Sequence, residues 1–131
     1  MPPRMSQGLI TVTSGSLSSL PRPGTTMLTV MRSAVETLAP ALALELAPVR
    51  VHAVTPGLID TSLRHTACGA ERDTIVQHRA AMLSGIRVGS AEEVAQVMLM
   101  LVTNSYMTGE VVHVDGGGGF VSQCSLDPID D

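Results

Sequence analysis

Two short β-branched runs, held apart by a long stretch of helical spacing, set the outline of this chain. Leu9-Ile10-Thr11-Val12-Thr13 lies between Gly8 and Ser14-Gly15-Ser16 and reads as a buried strand. Leu17 to Thr25 is rich in serine, proline and glycine and reads as a loop. From about Thr26 to Ala47, the apolar positions Val30, Ala34, Leu38, Leu42 and Leu46 recur four apart, which predicts a helix. Pro40 falls inside it. An interior proline loses a backbone hydrogen bond and crowds the preceding turn, at a cost of about 3 kcal/mol. The expectation is a kink there, or two shorter helices. Pro48 closes the segment, Val49 to Thr55 reads as a second strand, and Pro56-Gly57 ends it.

Beyond Gly57 the chain turns polar. Leu58 to Gly89 has the composition of a mobile segment, with a helix expected over about Glu71 to Met82. Ser90-Ala91-Glu92-Glu93 is a capping box, in which the serine hydroxyl caps the helix and Glu93 reaches back. The helix it opens runs to about Thr103, with Val94, Val97, Met98 and Leu101 on one face. Thr108-Gly109 turns the chain into a third strand, Val111 to Val114. Gly116 to Gly119 then release it into an acidic tail, with residues 123–131 flexible and Asp127, Asp130 and Asp131 solvated.

Strand, helix, strand, helix, strand is the signature of an α/β fold whose parallel sheet is joined by right-handed crossovers. The length suits one domain over residues 1–131. About three strands with flanking helices make a small sheet, and parallel sheets need both faces and both edges covered. The pattern is that of a partial doubly wound, Rossmann-like fold.

Composition narrows the chemistry. All 8 basic residues are arginine, there is no lysine, and Tyr106 and Phe120 are the only aromatics. A lysine Schiff base, a phosphate-loop lysine and any proton relay built on lysine are excluded. A net charge of −4 with no stacking platform argues against nucleic acid as a partner. No uninterrupted apolar run approaches the roughly 20 residues of a membrane span, and Val94 to Val102 contains Gln96. Met1 to Gly8 has no apolar stretch of signal-peptide type. Cys68 and Cys124 make neither a disulfide framework nor a zinc site, so a reducing cytoplasm is the expected compartment.

Three local patterns carry little. His65 and Cys68 are three apart, but no second ligand pair follows at metal spacing, so no metal is expected. Ser14-Gly15-Ser16 lacks the flanking glycines of a hydrolase elbow. His52 and His113 fall in strand patterns and read as core or sheet-face residues.

Four stretches taken together resemble the second half of the short-chain dehydrogenase/reductase family, over roughly Gly8 to Ser122. Ile10 to Ser14 is similar to its strand that ends in the active-site serine region. Ser33 to Leu38 with Ala41 to Pro48 is similar to its long active-site helix. Arg50 to Gly57 with Thr61 is similar to the following strand and Pro-Gly turn, and Thr108 to Gly117 to the last strand and its closing glycines. The resemblance implies oxidoreduction of a carbonyl or alcohol with NAD or NADP. The family's glycine-rich phosphate turn, and the strand that selects between the two cofactors, have no counterpart here, so the nucleotide-binding half is expected to be missing.

Family members orient the carbonyl with a serine, use a tyrosine as general acid/base, and lower its pKa with a lysine four residues on. Alignment through Pro23-Gly24 and the Ser33-to-Glu36 segment puts Gly15 in the serine slot, Leu28 in the tyrosine slot and Arg32 in the lysine slot. A one-residue slip would bring Ser14 or Ser16 to the first. None of the aligned residues is assigned a catalytic role. Tyr106 lies far along the chain and is expected to pack its ring at the helix-to-strand turn. By resemblance Pro56, Gly57, Ile59 and Thr61 line the nicotinamide end of a cofactor site, although Pro56-Gly57 also serves simply to end a strand. Two functions follow. One is an oxidoreductase-like chain with activity impaired or absent on its own and with no cofactor necessarily bound. The other is a non-catalytic relative that associates with itself or a related chain through the long helix and the last strand.

Overall fold

The computed structural model describes residues 8–16, 21, 23–61 and 72–120. In chain order it contains β1 (Leu9–Thr13), α1 (Thr26–Glu45), β2 (Arg50–Pro56), β3 (Ile59–Asp60), α2 (Arg72–Ala81), β4 (Gly89–Ser90), α3 (Ala91–Thr103) and β5 (Val111–Val114), closed by a 3-10 turn at Gly118–Phe120. The expected tail at 123–131, the aspartates in it, and His65, Cys68 and Cys124 lie outside the described residues.

β2 is the centre of a parallel sheet in the order β1-β2-β5. Leu9 pairs with Arg50 and Thr13 with Val54 on one side, while Ala53 pairs with Val111 and Pro56 with Val114 on the other. With neighbours on both edges and helices on both faces, β2 buries every residue from Val51 to Thr55. Val51, Ala53 and Val54 meet that burial with apolar side chains, while His52 and Thr55 bring polar ones into it.

Alternation divides β2 between the two faces. Val51 and Ala53 join Ala39 and Ala43 of α1 in the core, with Val12, Leu42 and Val111 packed around them. Thr55, on the same face, donates its hydroxyl to Glu36 Oε1 at 2.9 Å. His52 and Val54 turn the other way, toward the face on which α3 buries Leu101 completely.

α1 is one continuous helix of 20 residues through Pro40, not two. The reason is tertiary. Ala39 and Ala43 straddle the proline and are both buried against the same patch of β2, so packing on either side offsets the lost hydrogen bond. α1 is also long and apolar enough, by length and composition, to cross a bilayer, which a search for uninterrupted apolar runs does not reveal. In this fold its polar Glu36 and its alanine face are engaged by the sheet.

The capping box forms as expected. Ser90 Oγ accepts from the Glu93 N–H, and Glu93 Oε2 accepts from the Ser90 N–H at 2.8 Å. α2 falls within the expected helix. The two-residue ladder of β3 and β4, Ile59 opposite Gly89 and Asp60 opposite Ser90, is too short to leave a pattern in the sequence.

Arg50, the first residue of β2, ties the far end of α3 to the sheet. Its Nη1 donates to the carbonyls of Leu101 (2.7 Å) and Asn104 (3.0 Å), and its Nη2 to that of Val102 (3.1 Å). Helix ends leave carbonyls without intrahelical partners, and a guanidinium fork can serve several at once. His52, next in the strand, is fully buried, and neither ring nitrogen has a hydrogen-bond partner. Burial, and then the Arg50 charge, push its pKa below the ordinary imidazole value, against the opposing pull of the Met107 backbone and Glu110.

Two outcomes follow. Arg50→Met is expected to cost about 2 kcal/mol in urea unfolding, with Arg50→Lys recovering less than half, because several carbonyls lose a shared charged donor. Unchanged stability in Arg50→Met would show that the clamp is dispensable. Burial holds the His52 pKa below its ordinary imidazole value in the folded chain, whereas the unfolded chain titrates at that value. Its contribution is therefore complete above pH 6.5 and lost as pH falls below it. The melting temperature should drop between pH 7.5 and 5.5, and His52→Leu should flatten that slope.

Candidate functional site

Parallel strands leave all their carboxyl ends along one edge of the sheet, and ligands of doubly wound folds sit there. In this chain that edge presents Ser14 and Gly15 after β1, Gly57 after β2 and Asp115 after β5. α1 begins on the same side and brings Leu28 and Arg32 with it.

Gly15 and Arg32, 17 positions apart in the sequence, meet in space. A Cβ built on Gly15 would stand 2.9 Å from Arg32 Cζ and 3.0 Å from its Nη1. The guanidinium thus lies over the glycine where any side chain would go. Of the two neighbouring serines, Ser14 is anchored to α1, donating its hydroxyl to the Arg32 backbone carbonyl at 2.9 Å. Leu28 precedes Arg32 by one helical turn, on the same stripe, and is 41% exposed. Two of the aligned slots, Gly15 and Arg32, therefore meet at the end of β1, with Leu28 one helical turn before Arg32, and none of the three residue types is a proton donor or acceptor for neutral-pH chemistry.

Gly57 must be glycine for a reason internal to the chain. A Cβ there would fall 2.5 Å from the Cα of Asp115, so the β2 and β5 exits touch backbone to backbone. The Gly57 N–H donates to the Val114 carbonyl at 3.0 Å. Pro56, half-buried, ends β2 just before it.

The glycines after β5 form a built turn and not the loose exit expected from the sequence. Asp115 Oδ1 accepts from the Gly117 N–H (2.9 Å), Oδ2 from the Gly119 N–H (3.0 Å), and its backbone carbonyl from the Gly118 N–H (3.1 Å). Gly116 in turn accepts from the Gly85 N–H at 2.9 Å. The carboxylate satisfies the amides that would otherwise leave the glycines loose, and it uses donors that a phosphate would need.

Ile59 turns inward. Its Cδ1 stands 2.8 Å from where a Gly89 Cβ would lie, so its side chain packs on β4 and leaves only its backbone for a ligand. With Leu58, Gly85 and Val114 it lines a pocket of about 100 Å³, well below the roughly 300–1,000 Å³ of a small-molecule site. Arg87 and Glu93 close the pocket as a two-pronged ion pair, with Nη1 to Oε2 at 2.9 Å. The Arg87 hydrogen bond, with that of the Ser90 amide, holds the Glu93 carboxyl down at about 2. Thr61 is half-buried just past β3. Of the four residues expected to line a cofactor site, Gly57 abuts Asp115 and Ile59 shares the small pocket with it, while Pro56 and Thr61 lie outside that pocket's lining.

Tyr106 differs from expectation. It is 98% exposed, and its backbone N–H donates to Asn104 Oδ1 at 3.1 Å. His113 is exposed on β5, and His52 is the buried histidine described above. No group of three or more His, Cys, Asp or Glu side chains comes together among the described residues. The Arg50 clamp and the Asp115 turn went unread in the sequence. Asp115 before four glycines was the available signal for the second, whereas nothing marks an arginine at a strand start as a cap for a distant helix.

Comparison with known proteins agrees with this geometry. A family profile described as enoyl-(acyl carrier protein) reductase matches residues 1–118. The short-chain dehydrogenase/reductase UcsE of Acremonium sp is 32% identical over 82% of this chain and 40% of its own length. The 3-oxoacyl-[acyl-carrier-protein] reductase FabG of Aquifex aeolicus is 48% identical over 59% of this chain and 31% of its own. Among solved structures, a small-chain dehydrogenase in complex with NADPH superposes with a TM-score of 0.82 at 38% identity, covering 88% of this chain and 52% of that one. The chain spans less than half the length of the curated relatives it matches.

Proposed function

The chain belongs to the short-chain dehydrogenase/reductase family, and we propose that it is the substrate-side part of an NAD- or NADP-dependent oxidoreductase whose usual proton-transfer groups have been replaced. The observation that carries this reading is the contact of Gly15 with Arg32 at the carboxyl end of β1, with Leu28 one helical turn before Arg32. Leucine has no proton to give, glycine has no hydroxyl, and arginine stays charged at neutral pH. A bound nicotinamide would supply the hydride. This chain's part is to wall that end of the cofactor with Pro56, Gly57, the Ile59 backbone and Thr61. The reading places the chain in a reducing cytoplasm, acting on a small carbonyl or alcohol substrate.

The experiment is a turnover assay of the purified chain with NADH or NADPH and simple aldehydes and ketones. No oxidation of the nucleotide is expected. Measurable turnover that Thr61→Ala abolishes would overturn the impaired reading while supporting the cofactor wall.

A second reading is favoured by the open sheet edges. Among the described residues β1 pairs only with β2, and so does β5. Ile10 on β1 and Leu38 and Leu44 on α1 are exposed. Unpaired strands and uncovered apolar faces invite association, with a second copy or with a related chain. Light scattering should give a mass above the 13.7 kDa monomer. A monomer mass with a cooperative melt counts against association.

A further inference from the structure

We propose that Arg32, seated on Gly15 beside Leu28, forms a binding site for the carboxylate of a small acid with an apolar body. The proposal rests on the reading above only in placing ligands at the carboxyl ends of the strands.

Arg32 is fixed from two sides. Its backbone carbonyl accepts the Ser14 hydroxyl, which pins this turn of α1 to the end of β1. Its guanidinium lies against Gly15, at the distance where a Cβ would collide with Cζ, Nη1 and Nε alike. An arginine that drapes along a helix surface loses much side-chain entropy when it binds an anion. The backbone of this one is anchored and its guanidinium rests on Gly15, and its planar fork matches a carboxylate in two parallel hydrogen bonds.

Among the described residues, no acidic side chain pairs with this charge. Glu36, one turn on, receives the Thr55 hydroxyl instead. The half-buried position makes a charge-assisted contact stronger than it would be in open water. Leu28, 41% exposed on the same stripe of α1, sets the apolar part of the ligand. A cation with an apolar neighbour one turn away selects an acid such as an aryl or short acyl carboxylate over inorganic anions.

The exchange of residue types is coupled. A guanidinium is larger than an ammonium, and it occupies the space a side chain at position 15 would need. Glycine there is therefore the condition for arginine at 32.

Because every side-chain cation in the chain is one of 8 arginines, arginine-selective 15N labelling reports all of them in one spectrum. The intact chain, without nucleotide, is titrated with sodium benzoate, against benzamide and sodium chloride at matched ionic strength. The Arg32 Nε–Hε resonance should shift saturably with benzoate alone, about fivefold tighter than any of the other seven. Gly15→Ala should abolish that preference, since its Cβ evicts the guanidinium. Leu28→Ser should weaken benzoate while leaving acetate unchanged. The Arg50 resonance, set by its carbonyl clamp, reports that each variant is folded. A uniform shift across the arginines, an equal response to chloride, or no shift at Arg32 in the unmodified chain overturns the proposal. Failure of nucleotide contact at Thr61 leaves this titration untouched.

Discussion

The burial of Val51–Thr55 at the centre of β2 is the constraint on which the rest of this structure depends. A strand paired on both edges and covered on both faces has no water to satisfy its polar groups, so each neighbour must be in place at once. β1 and β5 supply the hydrogen bonds, α1 supplies the alanine face against Val51 and Ala53, and α3 covers the opposite side. The first residue of β2 extends the same logic outward. Arg50 gathers the carbonyls at the end of α3, so the strand that organises the core also terminates the helix that covers it.

That arrangement positions the site without dedicated machinery. Once three strands run parallel, their exits meet on one edge, and each exit is shaped by close backbone approach. Gly57 touches the Asp115 backbone and Gly15 lies beneath the Arg32 guanidinium. Asp115 folds the glycines after β5 around its own carboxylate. Glycines that resemble ligand-binding features are thus first of all answers to crowding inside the chain.

Much of this was legible in the residues. The strands at Leu9–Thr13 and Val111–Val114, the capping box at Ser90 and Glu93, and the family itself were all readable from local pattern and order. Pro40 was misleading, because helix continuity there depends on how Ala39 and Ala43 pack, and no local rule contains that. Tyr106 was misleading for the opposite reason. One of only two aromatics in an apolar chain suggests burial, yet Tyr106 is exposed. The glycine run read as loose because its hydrogen-bonding partner was its own neighbour, Asp115.

The sequence by itself determined the three main strands, the helices between them, their parallel order, and the lack of any lysine. These follow from periodicity and residue type, which are local properties. Only the tertiary structure decided that Gly15 and Arg32 occupy one space, that Arg50 caps a helix far along the chain, and that Gly57 abuts Asp115. Each of these is a contact between distant segments, set by the close packing of parallel strands against helices, and no local spacing in the chain encodes it.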